Sequence, residues 1–467
     1  MMKSLGIMLA ATTLAGCSLA PDYQRPVAPV APLFPAYGTA QPGVAASDMG
    51  WREFYRDPLL QTLITQALTN NRDLRIAALN VEAARASYRI QRADLLPTLA
   101  AQGNGAVQRM PADLTANGQS TIGRSYRAEG AMSWELDLFG RLRNLNQQAL
   151  EEYLAQDETR SAAQLALIAE TASAYLTLRA DNELLALALE TLTTQQAAYG
   201  LVEQSFRQGV ATELDLSQAE VGVRTAQRDL AQYQRQARQD NNALTLLVGQ
   251  PLAPAITAQL EQANTLPDTL LPEAIPAGLP ADLLIRRPDI RAAEHQLRAA
   301  NASIGAARAA FFPSISLTGL GGTASTGLAG LFSAGSGAWS FTPQISLPIF
   351  SGGALRAGLD LAEVQKRIEV ARYEQAIQQG FRETADALAG RDTLDTQIKA
   401  QTQLVAANQR AYNLSQQRFQ QGVDNYLNVL DSQRSLYAAQ QVLVDTRLAR
   451  LTNLVDLYRA LGGGWRE

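Results

Sequence analysis

The chain repeats itself, and the length of that repeat limits its architecture more than any single motif does. Arg72 to Pro97 aligns without a gap on Pro288 to Pro313, matching Asp73 with Asp289 and Arg75 with Arg291. Further on, Phe206-Arg-Gln-Gly-Val through Leu214 to Gly249 aligns on Phe419-Gln-Gln-Gly-Val through Leu427 to Gly462. A period of about 215 residues far exceeds the roughly 20–50 of a stacked solenoid, so the chain is a duplicated domain. Its function must come from something that two pseudo-equivalent halves build together.

The N-terminus carries an export signal. Lys3 precedes an apolar run, Leu5 to Ala15, that is too short to span a bilayer and fits the hydrophobic region of a secretory signal peptide. The run ends in Leu14-Ala15-Gly16-Cys17, which resembles a bacterial lipobox and makes Cys17, the only cysteine, the expected acylated first residue. Ser18 follows it where an Asp would favour retention at the inner membrane. A formal charge of −4 over 467 residues, without long same-sign runs, leaves no footprint for nucleic acid.

No later segment is long and apolar enough for a transmembrane helix, so any membrane span must be made of strands. Tyr126, Ala128, Gly130, Met132, Trp134, Leu136 and Leu138 alternate with Arg127, Glu129, Ala131, Ser133, Glu135 and Asp137, which puts an apolar set and a charged set on opposite faces. A lipid-facing barrel strand and a half-buried sandwich strand both fit this pattern. Leu99 to Val107 alternates similarly and reads as its hairpin partner across a polar loop near 110–124. Between Arg308 and Arg356 no residue is charged, and alternation around Ile315 to Gly319 and Ile345 to Ile349 predicts a second hairpin. Four strands cannot close alone. In lipid an open sheet would leave two unpaired edges, so the chain must oligomerise, a dimer giving about eight strands and a trimer about twelve.

The remainder reads as long helix. Arg141 to Phe206 contains no Pro and Ala354 to Phe419 likewise, each about 100 Å long if continuous. Val444, Leu448, Leu451 and Val455 have the spacing of a coiled-coil seam. Gly209 and Gly422 are expected as left-handed caps at hairpin tips, with Thr212 or Asp424 capping the next helix. The Pro-rich passages 21–42 and 251–280 are expected to be extended linkers. The resulting division is a signal peptide at 1–16, an anchor and Pro-rich segment at 17–56, repeat 1 at 57–249, a linker at 250–280, repeat 2 at 281–462 and a tail at 463–467. Within repeat 1 the reading is helices over 57–95, strands 97–109 and 125–138, and a helical hairpin over 141–249. Within repeat 2 it is helices over 281–310, strands 313–322 and 338–349, and a hairpin over 353–462.

The lipobox followed by Pro21-Asp-Tyr-Gln-Arg-Pro, the run Leu284-Ile-Arg-Arg-Pro-Asp-Ile-Arg, Phe312-Pro-Ser-Ile, Gly422-Val-Asp-Asn-Tyr-Leu and Leu461-Gly-Gly-Gly-Trp together resemble the outer-membrane factor (TolC-like) family, in particular its OprM-like lipoprotein branch. The resemblance covers essentially the whole mature chain. It implies a homotrimer whose chains give four strands each to one 12-stranded outer-membrane barrel, continued into the periplasm as a helical tunnel. It implies N-palmitoyl and S-diacylglycerol groups on Cys17, contact with outer-membrane lipid, and docking to a periplasmic adaptor protein and an inner-membrane RND-type pump. The chain would then passively conduct drugs or other small molecules. By the family's pattern, Leu427 and Asp431 would line a periplasmic gate, with Gln218 standing where the repeat would place a second Asp. Arg207, Gly209, Val210, Gln420, Gly422 and Val423 would form the adaptor-docking tips. No enzyme is expected: His295, the sole histidine, is read as a surface residue with no Cys or second His to complete a metal site, and no nucleophile accompanies it. The competing reading is a lipid-anchored periplasmic coiled-coil scaffold without channel activity, which has no use for a charged strand face opposite Met132, Trp134 and Leu136.

Overall fold

The computed structural model describes residues 18–32, 34, 48–116, 118–267, 270–272 and 280–464. Its elements in chain order are α1 (Trp51–Phe54), α2 (Pro58–Asn70), α3 (Arg72–Ala93), β1 (Thr98–Met110), β2 (Thr121–Leu136), α4 (Arg141–Arg207), α5 (Glu213–Val248), α6 (Pro254–Gln262), α7 (Pro280–Arg286), α8 (Pro288–Ala309), β3 (Ser314–Ser325), β4 (Gly337–Ser346), α9 (Ala354–Gln420) and α10 (Tyr426–Ala460). The residues divide into two compact units. Among the described residues no helix is long and apolar enough to cross a membrane.

The first unit, drawn from residues 1–27, 80–157 and 292–374, holds one antiparallel sheet in the order β1-β2-β3-β4. β2 starts at Thr121 rather than 125, because β1 continues to Met110 and pairs with it there, so the loop between them is shorter than its polar composition suggests. It ends at Leu136, short of 138. The Asp137 side chain turns inward and accepts from the backbone N–H of Arg143 at 2.8 Å, starting α4 instead of prolonging the strand. β3 runs three residues beyond the expected 322, and β4 stops at Ser346 opposite Ser314, the first residue of its partner. His295 is half-buried, not at the surface, its Nδ1 lying 2.6 Å from Glu151 Oε2.

The second unit, from residues 28–79, 158–291 and 375–467, is helical and displays the duplication in its packing. The helices expected over 57–95 meet at Asn71. Its Oδ1 caps α3 by accepting from Leu74 N at 3.0 Å, and its Nδ2 donates to Leu247 O at 3.0 Å near the end of α5. At the matching position in repeat 2, Arg287 separates α7 from α8 and donates to Ala460 O at 3.1 Å near the end of α10. Gly249 and Gly462 then pass close to the preceding turn: an added Cβ would lie 2.5 Å from Asn70 O at the first and 3.0 Å from Arg286 O at the second. Both have positive φ, at 76° and 77°, so glycine meets a conformational and a steric demand at once. The seam on α10 is realised, with Val444, Leu451 and Val455 buried.

The passage at 251–280 is not wholly extended. It contains α6, which Pro254 opens at the first helical turn, where a missing N–H is tolerated, and Asn182 on α4 anchors it by donating to Leu260 O at 2.9 Å.

Candidate functional site

Directly paired strand residues share a face, so the register sorts every side chain of the sheet. One face carries the rows Leu136–Ile315–Ile345, Trp134–Leu317–Pro343 and Leu99–Met132–Gly319–Phe341. The other carries Gln102–Glu129, Ser133–Thr318–Thr342 and Glu135–Ser316–Gln344, with Gln102 Nε2 donating to Glu129 at 2.9 Å. In these rows the separation holds across all four strands. Trp339 on the apolar face is 83 % exposed, so these side chains have no protein core of their own to enter. Among the described residues neither β1 nor β4 has a strand partner on its outer edge. Gly322 permits the β2–β3 approach, because any Cβ there would collide with the Ala128 carbonyl oxygen.

The segment that follows Cys17 is stitched to α8 within the same unit. Arg308 donates to Leu19 O at 3.4 Å, Asn301 to Pro21 O at 2.7 Å, and Tyr23 to Glu294 at 3.1 Å, so the chain runs antiparallel to the helix with its start nearest the strands. Glu294 also receives Arg25 at 2.7 Å and Arg298 at 2.8 Å. Burial pushes its carboxyl up, but the two guanidiniums outweigh burial and hold it below the usual range. The Tyr23 hydroxyl goes the other way, pushed up to about 12 by burial and the Glu294 charge. Cys17 itself lies outside the described residues.

The helical hairpin tips belong to the second unit. Each long helix ends in a Schellman turn: Gly209 N–H donates to Phe206 O and Val210 N–H to Ser205 O, and Gly422 and Val423 repeat this with Phe419 and Arg418, all four at 2.9 Å. Gly209 and Gly422 have φ of 73° and 72°, the left-handed conformation expected of them. Val210 and Val423 stand exposed beyond the turns. Thr212 caps α5 in a capping box with Asp215, whose carboxyl is lowered by the hydrogen bonds from the Thr212 hydroxyl and backbone N–H. In the second tip the cap is Asn425 rather than Asp424. Asn425 is the position that repeats Thr212, while Asp424 is engaged by Arg418 at 2.6 Å and its carboxyl is lowered by that bond. Arg207 makes its ion pair within α4, with Glu203 at 2.7 Å, and Gln420 closes α9.

Behind the tips one apolar cluster joins the two hairpins: Val202, Ala219, Tyr426, Val429 and Leu430 are buried together, with Phe419 against them. This stripe on α10 leaves Leu427 and Asp431 side by side on an exposed flank of the helix. The structure thus brings the tip residues and the two gate candidates around a common core. The capping box was visible as Thr212-x-x-Asp215, whereas the Arg418–Asp424 tie spans the turn with no periodic signal.

The sequence profile described as "Outer membrane efflux protein" matches residues 63–250 and again 279–463, once per repeat. A probable efflux pump outer membrane protein, TtgC of Pseudomonas putida, is 52% identical over 100% of this chain and 97% of its own length. A toluene efflux pump outer membrane protein from another strain of that species is 51% identical with the same coverage. The crystal structure of the open state of the Neisseria gonorrhoeae MtrE outer membrane channel superposes with a TM-score of 0.86 at 41% identity, covering 96% of this chain and 99% of that one.

Proposed function

The chain belongs to the outer membrane efflux protein family, and on that premise we propose that it is the outer-membrane channel of a tripartite efflux pump, a passive conduit that does no chemistry. One observation carries the reading: a four-stranded sheet with an apolar face, a polar face and two open edges. In lipid such edges are tolerated only if they pair, and pairing β4 of one copy with β1 of the next closes a barrel with lipid outside and water within. Three copies give twelve strands, and their helical hairpins extend the passage into the periplasm.

The remaining assignments rest on that frame. Cys17 carries the N-palmitoyl and S-diacylglycerol groups; the run of Leu19 to Arg25 along α8 supports this by delivering the N-terminus to the strand end of that helix. Leu427 and Asp431 line the periplasmic aperture, where three carboxylates repel one another and favour cations. Arg207, Gly209, Val210, Gln420, Gly422 and Val423 meet a periplasmic adaptor protein, which connects the channel to an RND-type inner-membrane pump. Organic solutes are the cargo, by analogy with the toluene pump relative.

The test is the protein mass, corrected for detergent, of the complex extracted from isolated outer membranes, followed by conductance in planar bilayers. Three chains per particle with discrete channel openings are expected. A monomer without conductance would leave only a lipid-anchored scaffold. Replacing Gly209 or Gly422 by Val should reduce efflux at normal trimer levels; unchanged efflux would remove these glycines from docking.

A further inference from the structure

The apolar face of the sheet carries two charges that conduction does not use. Val107 pairs with Arg124 and Arg109 with Ile122, which puts both arginines on the face of Leu99, Tyr126, Met132 and Trp134 and makes them diagonal neighbours, about 7–8 Å apart at their backbones. Arg109 Nε donates to Ser120 Oγ at 3.2 Å, and among the described residues no carboxylate engages either guanidinium. Arg127, by contrast, belongs to the opposite, polar face. Two like charges held side by side at the margin of an apolar surface repel each other unless an anion lies between them.

Their depth is informative. Arg109 and Arg124 sit at the end of the β1–β2 hairpin remote from α3 and α4, beside the loop at 111–120. From Trp134, whose indole N–H donates to Leu95 O, to Arg124 is ten residues of β2. That is about 33 Å along the strand and about 25 Å after a barrel tilt of about 40°, the height of the apolar band of an outer-membrane barrel. Tyr126 falls just inside the arginines as the second aromatic margin. The pair therefore stands at headgroup level on the side away from the helices, with its charges directed at lipid.

We propose that Arg109 and Arg124 form a binding site for the phosphates of the outer-leaflet glycolipid, lipid A. The planar guanidinium fork suits phosphate oxygens in two-point contact, and a site at the band margin lets acyl chains lie along Val107, Tyr126 and Ala128 while the phosphate meets both arginines. The proposal rests on the barrel reading above. Through it the lipid would fix the vertical position of the β1–β2 hairpin.

The experiment uses the full chain as the complex extracted from outer membranes. Native mass measurement and thermal shift are recorded with phosphorylated lipid A, the same lipid stripped of phosphate, phosphatidylglycerol and inorganic phosphate. The wild type is expected to retain phosphorylated lipid A about tenfold better than the stripped lipid, a preference lost in R109Q/R124Q, weakened in R109K/R124K and kept in R127Q. Equal retention of the two lipid A forms by the wild type would overturn the site. So would an unchanged preference in the double variant, or equal protection by phosphatidylglycerol or free phosphate, which would make it an unselective anion patch. Should R109Q/R124Q fail to assemble, the two single Gln variants are read in the same way. An assembled complex without lipid preference sinks only this proposal, whereas absence of any assembled complex from the wild-type membrane sinks the channel reading itself.

Discussion

Single residues decide where backbones can meet, and the glycines show the rule most clearly. Gly209 has a positive φ but open space around its missing Cβ, so Gly209→Ala should cost only the left-handed conformation, about 1–2 kcal/mol. Gly249 has the same conformation and the Asn70 carbonyl where a methyl would go, so Gly249→Ala should cost about 3 kcal/mol or more. Thermal unfolding of the two purified variants checks the order, and a larger shift for Gly209→Ala would contradict it. At the gate candidate, Asp431→Ala should lower cation preference in bilayer recordings without changing assembly. Retained selectivity would move Asp431 off the axis and return it to a solvated acid.

At the scale of elements, α4, α5 and α10 share a half-buried acidic cluster that neither period nor motif announced. Asp181 on α4 faces Asp240 on α5, and Asp240 Oδ2 is buried with no N–H or hydroxyl donor. A proton on Asp181 satisfies it. Burial, the bond to Asp240 and the charges of Asp240 and Asp445 push the Asp181 carboxyl up to about 7 from the ordinary 3.8. Around this pair Asp445 of α10 is also raised by burial, the Tyr233 hydroxyl of α5 accepts from Gln441 Nε2 at 2.8 Å, and Arg447 is paired with Glu183. The folded chain holds the proton more tightly than the unfolded chain. The contribution to stability is therefore full below about pH 4 and is lost as pH rises through about 7. Asp181→Asn mimics the protonated acid, so the variant should gain thermal stability over wild type at pH 8 and lose that advantage towards pH 4. A difference independent of pH would refute the shared proton.

At the scale of the whole molecule, the sheet is one third of the barrel proposed above, which two further copies complete. Met132 lies on the apolar face two residues inside Trp134, opposite Leu99 and Gly319. Met132→Arg, two residues inside the Trp134 margin, should cost about 1–2 kcal/mol in a barrel and reduce assembled complex in the outer membrane. Ser133→Arg, one residue along and on the polar face, should assemble normally. Equal loss in both variants, read as heat-stable oligomer in membrane fractions, would mean that the two faces are not lipid and water. The lipid-facing arginines and the stitched N-terminal segment belong to the same scale, since each positions the chain relative to a bilayer rather than stabilising a core.

The sequence by itself determined the duplication, the four strands, the two long hairpins and the left-handed tips, because each rests on a local period or on a residue with one conformational use: alternation for Met132 and Trp134, absence of Pro from 141 to 206, glycine at 209 and 422. Tertiary structure alone decided the rest. Where β2 begins depended on how far β1 ran beside it, and the side chains of Asn71 and Arg287 reach carbonyls of distant helix ends, Leu247 O and Ala460 O. Asp424 was drawn from capping to Arg418, and α6 formed inside a Pro-rich passage because Asn182 and a buried Leu260 held it. Such choices depend on partners far apart in the chain, and no local pattern encodes how near those partners come.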